Sequence, residues 1–201
     1  DVVARPAYGW IIGAGVARGR IAAMDVRAAR AAPGVLAIVT AENAGPLGKG
    51  DKNTVRLLGG PEIAHYDQAI AVVVAETFEQ ARAAAQLVQV RYEPGSGSFD
   101  LEASRASARI PEHDGQGSPA ATHAGDFEGA FARAPVQLDA TYTTPDQSHM
   151  MMEPHATLAV WQGDKLTVWT SNQMVAWSAS DLCKTLGLRK EQVRLVSPFV
   201  G

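Results

Sequence analysis

The chain has 201 residues, 46% hydrophobic and 19% charged, with 19 glycines and 11 prolines; it can bury a real core as one large domain or two small ones. Eighteen basic and 21 acidic residues, a formal net charge of −3, are mixed along the chain, so no basic stripe points to nucleic acid, and no apolar run approaches the ~18 residues of a membrane span. One cysteine, Cys183, excludes an internal disulfide and cannot alone hold an iron–sulfur cluster or a Cys-rich zinc site.

Residues 7–13 and 19–26 read as strands, and residues 28–32 as a short helical piece stopped by Pro33-Gly34. Residues 35–40 form an apolar run of strand length. Residues 41–62 are rich in Gly, Asn and Asp and read mostly as loop. Residues 70–75 are β-branched at nearly every position, which suits a strand buried on both faces. Thr77-Phe78-Glu79-Gln80 is a capping box opening a helix to about Leu87 on a run of Ala, and residues 88–93 alternate as the next strand. Strand, helix and strand in succession make a layered unit of helix on sheet.

Residues 94–124 change character. Gly, Ser, Pro, Ala, His and Asp dominate without periodicity, so this stretch is the linker candidate and marks a domain boundary. Beyond it, Asp126 caps a short helix to Ala134, and residues 136–143 alternate as a strand. Residues 156–161 and 165–170 flank Gln162-Gly163-Asp164, a tight hairpin signal. Ala176, Ala179, Leu182, Cys183 and Leu186 follow at helical spacing with Gly187 in the capping place. Residues 192–196 are the last strand. The chain stops on Ser197-Pro198-Phe199-Val200-Gly201, an apolar run ending at a glycine, and the expectation is that the polypeptide continues.

Several signals fail on their own chemistry. Gly13-Ala14-Gly15-Val16-Ala17-Arg18-Gly19 imitates a dinucleotide fingerprint, but Arg18 stands where close helix–strand contact requires the third glycine, and strand rather than helix follows. His149 and His155 flank Met150-Met151-Met152-Glu153-Pro154; a metal wants three or four compatible ligands, and Pro154 breaks any helix that would present the pair on one face. Ser148 and His149 are adjacent without a Gly-x-Ser-x-Gly elbow. Glu153 reads as a structural carboxylate, and no residue is named as a catalytic base or metal ligand.

The segment from His149 through Met152-Glu153-Pro154 to Trp161, then Lys165 to Gln173, and finally Gln192-Val193-Arg194-Leu195-Val196-Ser197-Pro198-Phe199-Val200-Gly201, resembles the large subunit of the xanthine dehydrogenase and aldehyde oxidase family. There a Met-Glu-Pro stretch, two strands, a Thr-Ser-x-Gln stretch, a helix and a Val-Arg-Leu-Val strand lead into a Gly-Gly-Gly-Phe-Gly loop. Residues 17–25, 32–40 and 70–77 are similar to the family's a/b hammerhead domain, although its common Gly-Gln-Pro-Val stretch stands here as Asp67-Gln68-Ala69-Ile70. Thr170 to Met174 and Val196 to Phe199 look most like the bacterial aldehyde oxidase branch. The implied fold class is α+β: a hammerhead domain over residues 1–94, a linker over 95–124 and the first part of a molybdopterin-binding α+β domain over 125–201.

The resemblance implies oxidation of aldehydes to carboxylic acids with water, at molybdenum held by molybdopterin, expected in its cytosine dinucleotide form in the complete protein. Iron–sulfur clusters and FAD on partner subunits or domains would carry electrons away. It assigns Gln173 an amide hydrogen bond to an oxygen on the molybdenum, a neutral donor that adds no charge near the metal, and makes Gly201 the first glycine of the cofactor loop, where backbone approaches closely. The family's glutamate base would lie beyond residue 201, so these residues alone are expected to be inactive. An N-heterocycle hydroxylase of the same family, or a non-catalytic scaffold or binding module with the hammerhead fold, are the alternatives. The expected compartment is the cytoplasm, or the bacterial periplasm through a signal on a partner subunit.

Overall fold

The computed structural model describes residues 3–51, 56–115, 117–150 and 152–199. They fall into two compact units, one of Asp1–Gly97 with Glu153–Gly201 and one of Ser98–Met152.

Among the described residues, the first unit contains three three-stranded sheets. Strand β1 (Tyr8–Gly13) and strand β3 (Val35–Thr40) flank β5 (Ala69–Ala75), all antiparallel. The β-branched run of β5 is central as its sequence demands: Ile70, Ala71, Val73 and Ala75 are buried. Helix α2 (Phe78–Ala85) packs on β1 and β5. Its buried face is Ala81, Ala84 and Ala85, so backbone and sheet approach closely around Ala29, Ile38 and Val73. The expected capping box is present: Thr77 Oγ1 accepts from the Gln80 N–H at 3.2 Å, and Gln80 Oε1 accepts from the Thr77 N–H at 3.1 Å. Such a cap contributes ~1 kcal/mol. Phe78 meets Trp10 edge-on at 5.4 Å, with the Arg82 guanidinium 5.8 Å from the same indole. Helix α1 (Arg27–Arg30) adds Ala29 to this core.

The second sheet runs β4 (Glu62–Ile63), β2 (Gly19–Asp25), β6 (Gln89–Pro94), over Ala14, Ile63 and Ile70 with Ile21, Met24, Val90 and Tyr92 around them. Ala14 to Arg18 turn the chain between β1, which ends on Gly13, and β2, which starts on Gly19. The Gly15 N–H donates to Tyr92 Oη at 3.0 Å. Gly19 sits at φ +146°, where a Cβ would lie 2.3 Å from the Glu93 carbonyl oxygen. These glycines serve strand packing. Gln68 is buried and satisfied twice: Oε1 accepts from the Ala64 N–H at 2.8 Å and Nε2 donates to the Glu62 carbonyl at 3.0 Å. Asp67 before it holds φ +60°, a left-handed conformation glycine adopts more easily.

In the third sheet β8 (Lys165–Thr170) pairs antiparallel with β7 (Thr157–Gln162) and parallel with β9 (Val193–Val196). The expected hairpin turns at Gly163, φ +62°, and α5 (Val175–Leu186) ends at Gly187, φ +67°, as its spacing predicts.

In the second unit α3 (Leu101–Ser104) is capped by Asp100 and followed by a 3₁₀ turn, and α4 (Phe127–Arg133) is capped by Asp126 through the Gly129 N–H at 2.9 Å. Residues 136–143, expected as a strand, form no strand in the structure. Alternation sets a strand's two faces, but a ladder also needs a neighbouring edge.

Candidate functional site

Leu166, Thr167, Val168 and Trp169 of β8 register with Val193, Arg194, Leu195 and Val196 of β9, and α5 connects the two strands. Parallel neighbours end at the same edge of a sheet, and the carboxyl edge is where such sheets present ligand-binding loops. Two loops therefore meet there: Ser171, Asn172, Gln173 and Met174 after β8, and Ser197, Pro198 and Phe199 after β9.

Their hydrogen bonds hold the loops together. The Asn172 N–H donates to Ser197 Oγ at 2.8 Å, and that hydroxyl has the carbonyl oxygens of Asn172 and Phe199 within reach at 3.1 and 2.9 Å. Asn172 Oδ1 accepts from the Met174 N–H at 2.7 Å, an Asx turn that fixes the chain on both sides of Gln173. Ser171 Oγ donates to Glu153 Oε1 at 2.5 Å, so the Glu of the Met-Glu-Pro stretch braces the same loop. Thr157 and Thr170 hydroxyls pair at 3.0 Å across the hairpin just behind it.

Gln173 is exposed, on a loop pinned from two neighbouring segments. It lines a groove of about 500 Å³ with Asn172, Met174 and Trp177, together with Leu57 and Leu182. Helix α5 starts two residues later with no side-chain cap from Met174, so the positive end of its dipole lies beside a loop whose own side chains, Asn172 and Gln173, are neutral. The other site residue from the sequence, Gly201, lies outside the described residues. The described residues Ser197 to Phe199 leave β9 alongside the Gln173 loop.

Sequence reasoning missed the support under α5. The loop before β4 lies along the helix as a strap. The Gly48 N–H donates to the Thr185 carbonyl at 2.8 Å and the Asp51 N–H to Asp181 Oδ1 at 3.0 Å, while Lys184 pairs with Asp51. Both strap glycines approach the helix closely, Gly48 against its backbone and Gly50 against a side chain. A Cβ at Gly48 would stand 2.1 Å from the Lys184 carbonyl oxygen, and one at Gly50 2.7 Å from the Asp181 carboxyl carbon. Two close glycines in a Gly-rich loop were the available signal, but nothing local names the helix they meet.

His113, His123, His149 and His155 are exposed. Among the described residues no three His, Cys, Asp or Glu side chains group for a metal ion, and no helix is long and apolar enough to cross a membrane. Away from the site, the Asp25 carboxyl is held down at about 2 by its side-chain hydrogen bonds from Arg27, then by the Arg27 backbone N–H.

Residues 1–96 match the family model for the aldehyde oxidase and xanthine dehydrogenase a/b hammerhead domain, and residues 110–201 that for the molybdopterin cofactor-binding domain. The chain is 59% identical, over 97% of its length, to the aldehyde oxidoreductase molybdenum-binding subunit PaoC of Escherichia coli strain K12, and it covers 26% of that subunit. Among solved structures it resembles quinoline 2-oxidoreductase from Pseudomonas putida 86, at TM-score 0.77 and 22% identity, covering 97% of this chain and 27% of that one. It also resembles the aldehyde oxidoreductase from Desulfovibrio gigas, at TM-score 0.73 and 24% identity, covering 98% of this chain and 23% of that one. These two likenesses speak for the fold.

Proposed function

The chain belongs to the aldehyde oxidase and xanthine dehydrogenase family, and we propose that it forms part of the large, molybdenum-binding subunit of an enzyme that oxidises aldehydes to carboxylic acids. The observation that carries this reading is the 59% identity, along 97% of the chain, to a subunit described as an aldehyde oxidoreductase. Because the chain spans 26% of that relative's length, the activity, substrate and partners belong to the whole protein as we propose it. The aldehyde and water give the acid, two protons and two electrons. The electrons leave through iron–sulfur clusters and FAD on partner subunits.

The residues present fit the cofactor. Gln173 offers an exposed neutral amide at the carboxyl edge of a parallel strand pair, which suits donation to an oxygen without placing a further charge beside a metal. The adjacent amino end of α5 favours an anionic group nearby. Bound there, molybdopterin, which we propose in its cytosine dinucleotide form, would supply the two-electron oxidation of the substrate carbon. The chain's own contribution is positioning. Gln173 donates from its amide; Asn172 and Ser197 hold the loop; Glu153, accepting from Ser171, braces it from the segment before β7. Rigid support of this kind keeps a contact within the fraction of an ångström that such chemistry needs.

The test is a substrate panel on the assembled enzyme, scoring reduction of an artificial electron acceptor. Aliphatic and aromatic aldehydes are expected to be turned over, and N-heterocycles poorly. Turnover of heterocycles with aldehydes inert would move the enzyme to the hydroxylase side of the family. No redox turnover with either class, from a preparation loaded with molybdenum, would refute the assignment.

A further inference from the structure

The groove lined by Gln173 is built from two distant parts of the chain. Met174, at the start of α5, lines it with Trp177 and Leu182 of the helix. Leu57 lines it as well, from the part of the chain that matches the hammerhead model. Leu57, Met174 and Trp177 are 41%, 54% and 53% exposed. The groove's volume of about 500 Å³ and its mostly apolar surface are those of a small-molecule cleft, roughly 300–1,000 Å³ with a few polar groups among apolar walls. Gln173 supplies such a polar group.

The backbone holds Leu57 in place by an unusual turn. Leu57 and Leu58 form it, and Leu58 takes φ +46°, a left-handed conformation that a side chain with a Cβ adopts only under constraint. A Cβ at Gly59 would lie 2.8 Å from the Arg56 carbonyl oxygen, and Gly60 sits at φ +123°. The chain is anchored on either side of this turn. Before it, the strap is tied to α5 through Gly48 and Asp51. After it, the Ile21 N–H donates to the Pro61 carbonyl at 2.7 Å, just ahead of β4. Strained backbone of this kind persists where the surrounding structure over-determines it, and it clusters at ligand clamps.

An aldehyde has a polar carbonyl and a hydrocarbon remainder. With its carbonyl carbon reacting beside Gln173, the remainder needs apolar space that opens from the same place, and this groove includes Gln173 itself. We infer that the groove takes the hydrocarbon part of the aldehyde, and that Leu57 is a specificity-determining residue that sets the bulk admitted. This rests on the aldehyde-oxidising function proposed above. An apolar contact of this sort is the same in the ground and transition states, so it acts on KM.

Steady-state kinetics of the assembled enzyme tests it, read as kcat/KM for naphthaldehyde divided by kcat/KM for acetaldehyde. Leu57→Ala is expected to raise this ratio about 10-fold or more, and Leu57→Phe to lower it by a similar factor, the effect of methylene-sized changes in an apolar pocket. KM should carry the change. Equilibrium dialysis of naphthoate, the product acid, should follow it, with tighter binding in Leu57→Ala and weaker in Leu57→Phe. Leu36→Ala, also exposed but on β3 and outside the groove, should leave both readings unchanged. A ratio unmoved in both Leu57 variants, while aldehydes are still oxidised, overturns this inference and leaves the proposed function standing. A ratio that falls in both variants does the same, as expected if protein rather than substrate fills the groove. No turnover of any aldehyde by the molybdenum-loaded wild type overturns the proposed function, and this inference with it.

Discussion

Replacing Gly48 by alanine should peel the strap from α5. The added Cβ would stand 2.1 Å from the Lys184 carbonyl oxygen and 3.0 Å from its carbon. Both are helix backbone, which cannot swing aside as a side chain can. Keeping the strap in place therefore carries an overpacking cost of about 1–3 kcal/mol. Releasing it has its own cost, which limits the damage. Two hydrogen bonds, Gly48 N–H to Thr185 O and Asp51 N–H to Asp181 Oδ1, contribute about 0.5–1.5 kcal/mol each, and the exposed Lys184–Asp51 pair about 0–1 kcal/mol. The cheaper route sets the result at about 2 kcal/mol, a fall of roughly 4–8 °C in Tm for a chain of this size. Thermal unfolding of Gly48→Ala against Gly115→Ala, where a Cβ meets nothing within 4 Å, isolates the effect of contact. Exchange of the Asp51 amide should quicken in the Gly48 variant alone. Equal melting of the two variants, with Asp51 still protected, would refute the packing argument.

Gln68→Leu keeps the volume but leaves the Ala64 N–H and the Glu62 carbonyl without their partner, so urea unfolding should show a loss of about 2–4 kcal/mol. Asp67→Gly, which relieves φ +60°, should leave stability equal or higher by up to about 1 kcal/mol, whereas Asp67→Val should lower it. In an NMR titration Asp25 should protonate at about 2, and in Arg27→Ala it should return toward the ordinary 3.8. Because its folded pKa is depressed, the stability this pair contributes is present above the unfolded value of about 3.9 and is lost as pH falls through about 2.

Much of the fold could be read because its determinants are local. Thr77 and Gln80 cap within one turn, Gly163 and Gly187 take positive φ where a hairpin and a helix end require it, and the β-branched run of β5 can lie only in the middle of a sheet. The misfit of Arg18 to the nucleotide fingerprint was also legible, and β2 follows directly after. Distant pairings were not legible. Gly48 meets Thr185, and Asp51 meets Asp181 across 130 positions, with no periodicity to announce either contact. The short β4 and the bracing of Asn172 by Ser197 depend in the same way on partners set by topology. Residues 136–143 show the converse: their alternation reads as a strand, yet they form no strand in the structure. Gln173 could be singled out through family resemblance alone, since a lone Gln after a strand carries no chemical signature; the structure adds its pinned loop and exposed position.

Turnover per bound molybdenum in the assembled enzyme carrying Gln173→Ala tests the central claim most directly. Loss of a group that orients a metal-bound ligand typically costs about 10–100-fold, so aldehyde oxidation per molybdenum should fall by that order while circular dichroism and subunit assembly stay as in the wild type. Gln173→Glu, which keeps the shape but replaces the amide donor, should not restore it. Wild-type turnover per molybdenum in Gln173→Ala would contradict the assignment of this loop to the cofactor.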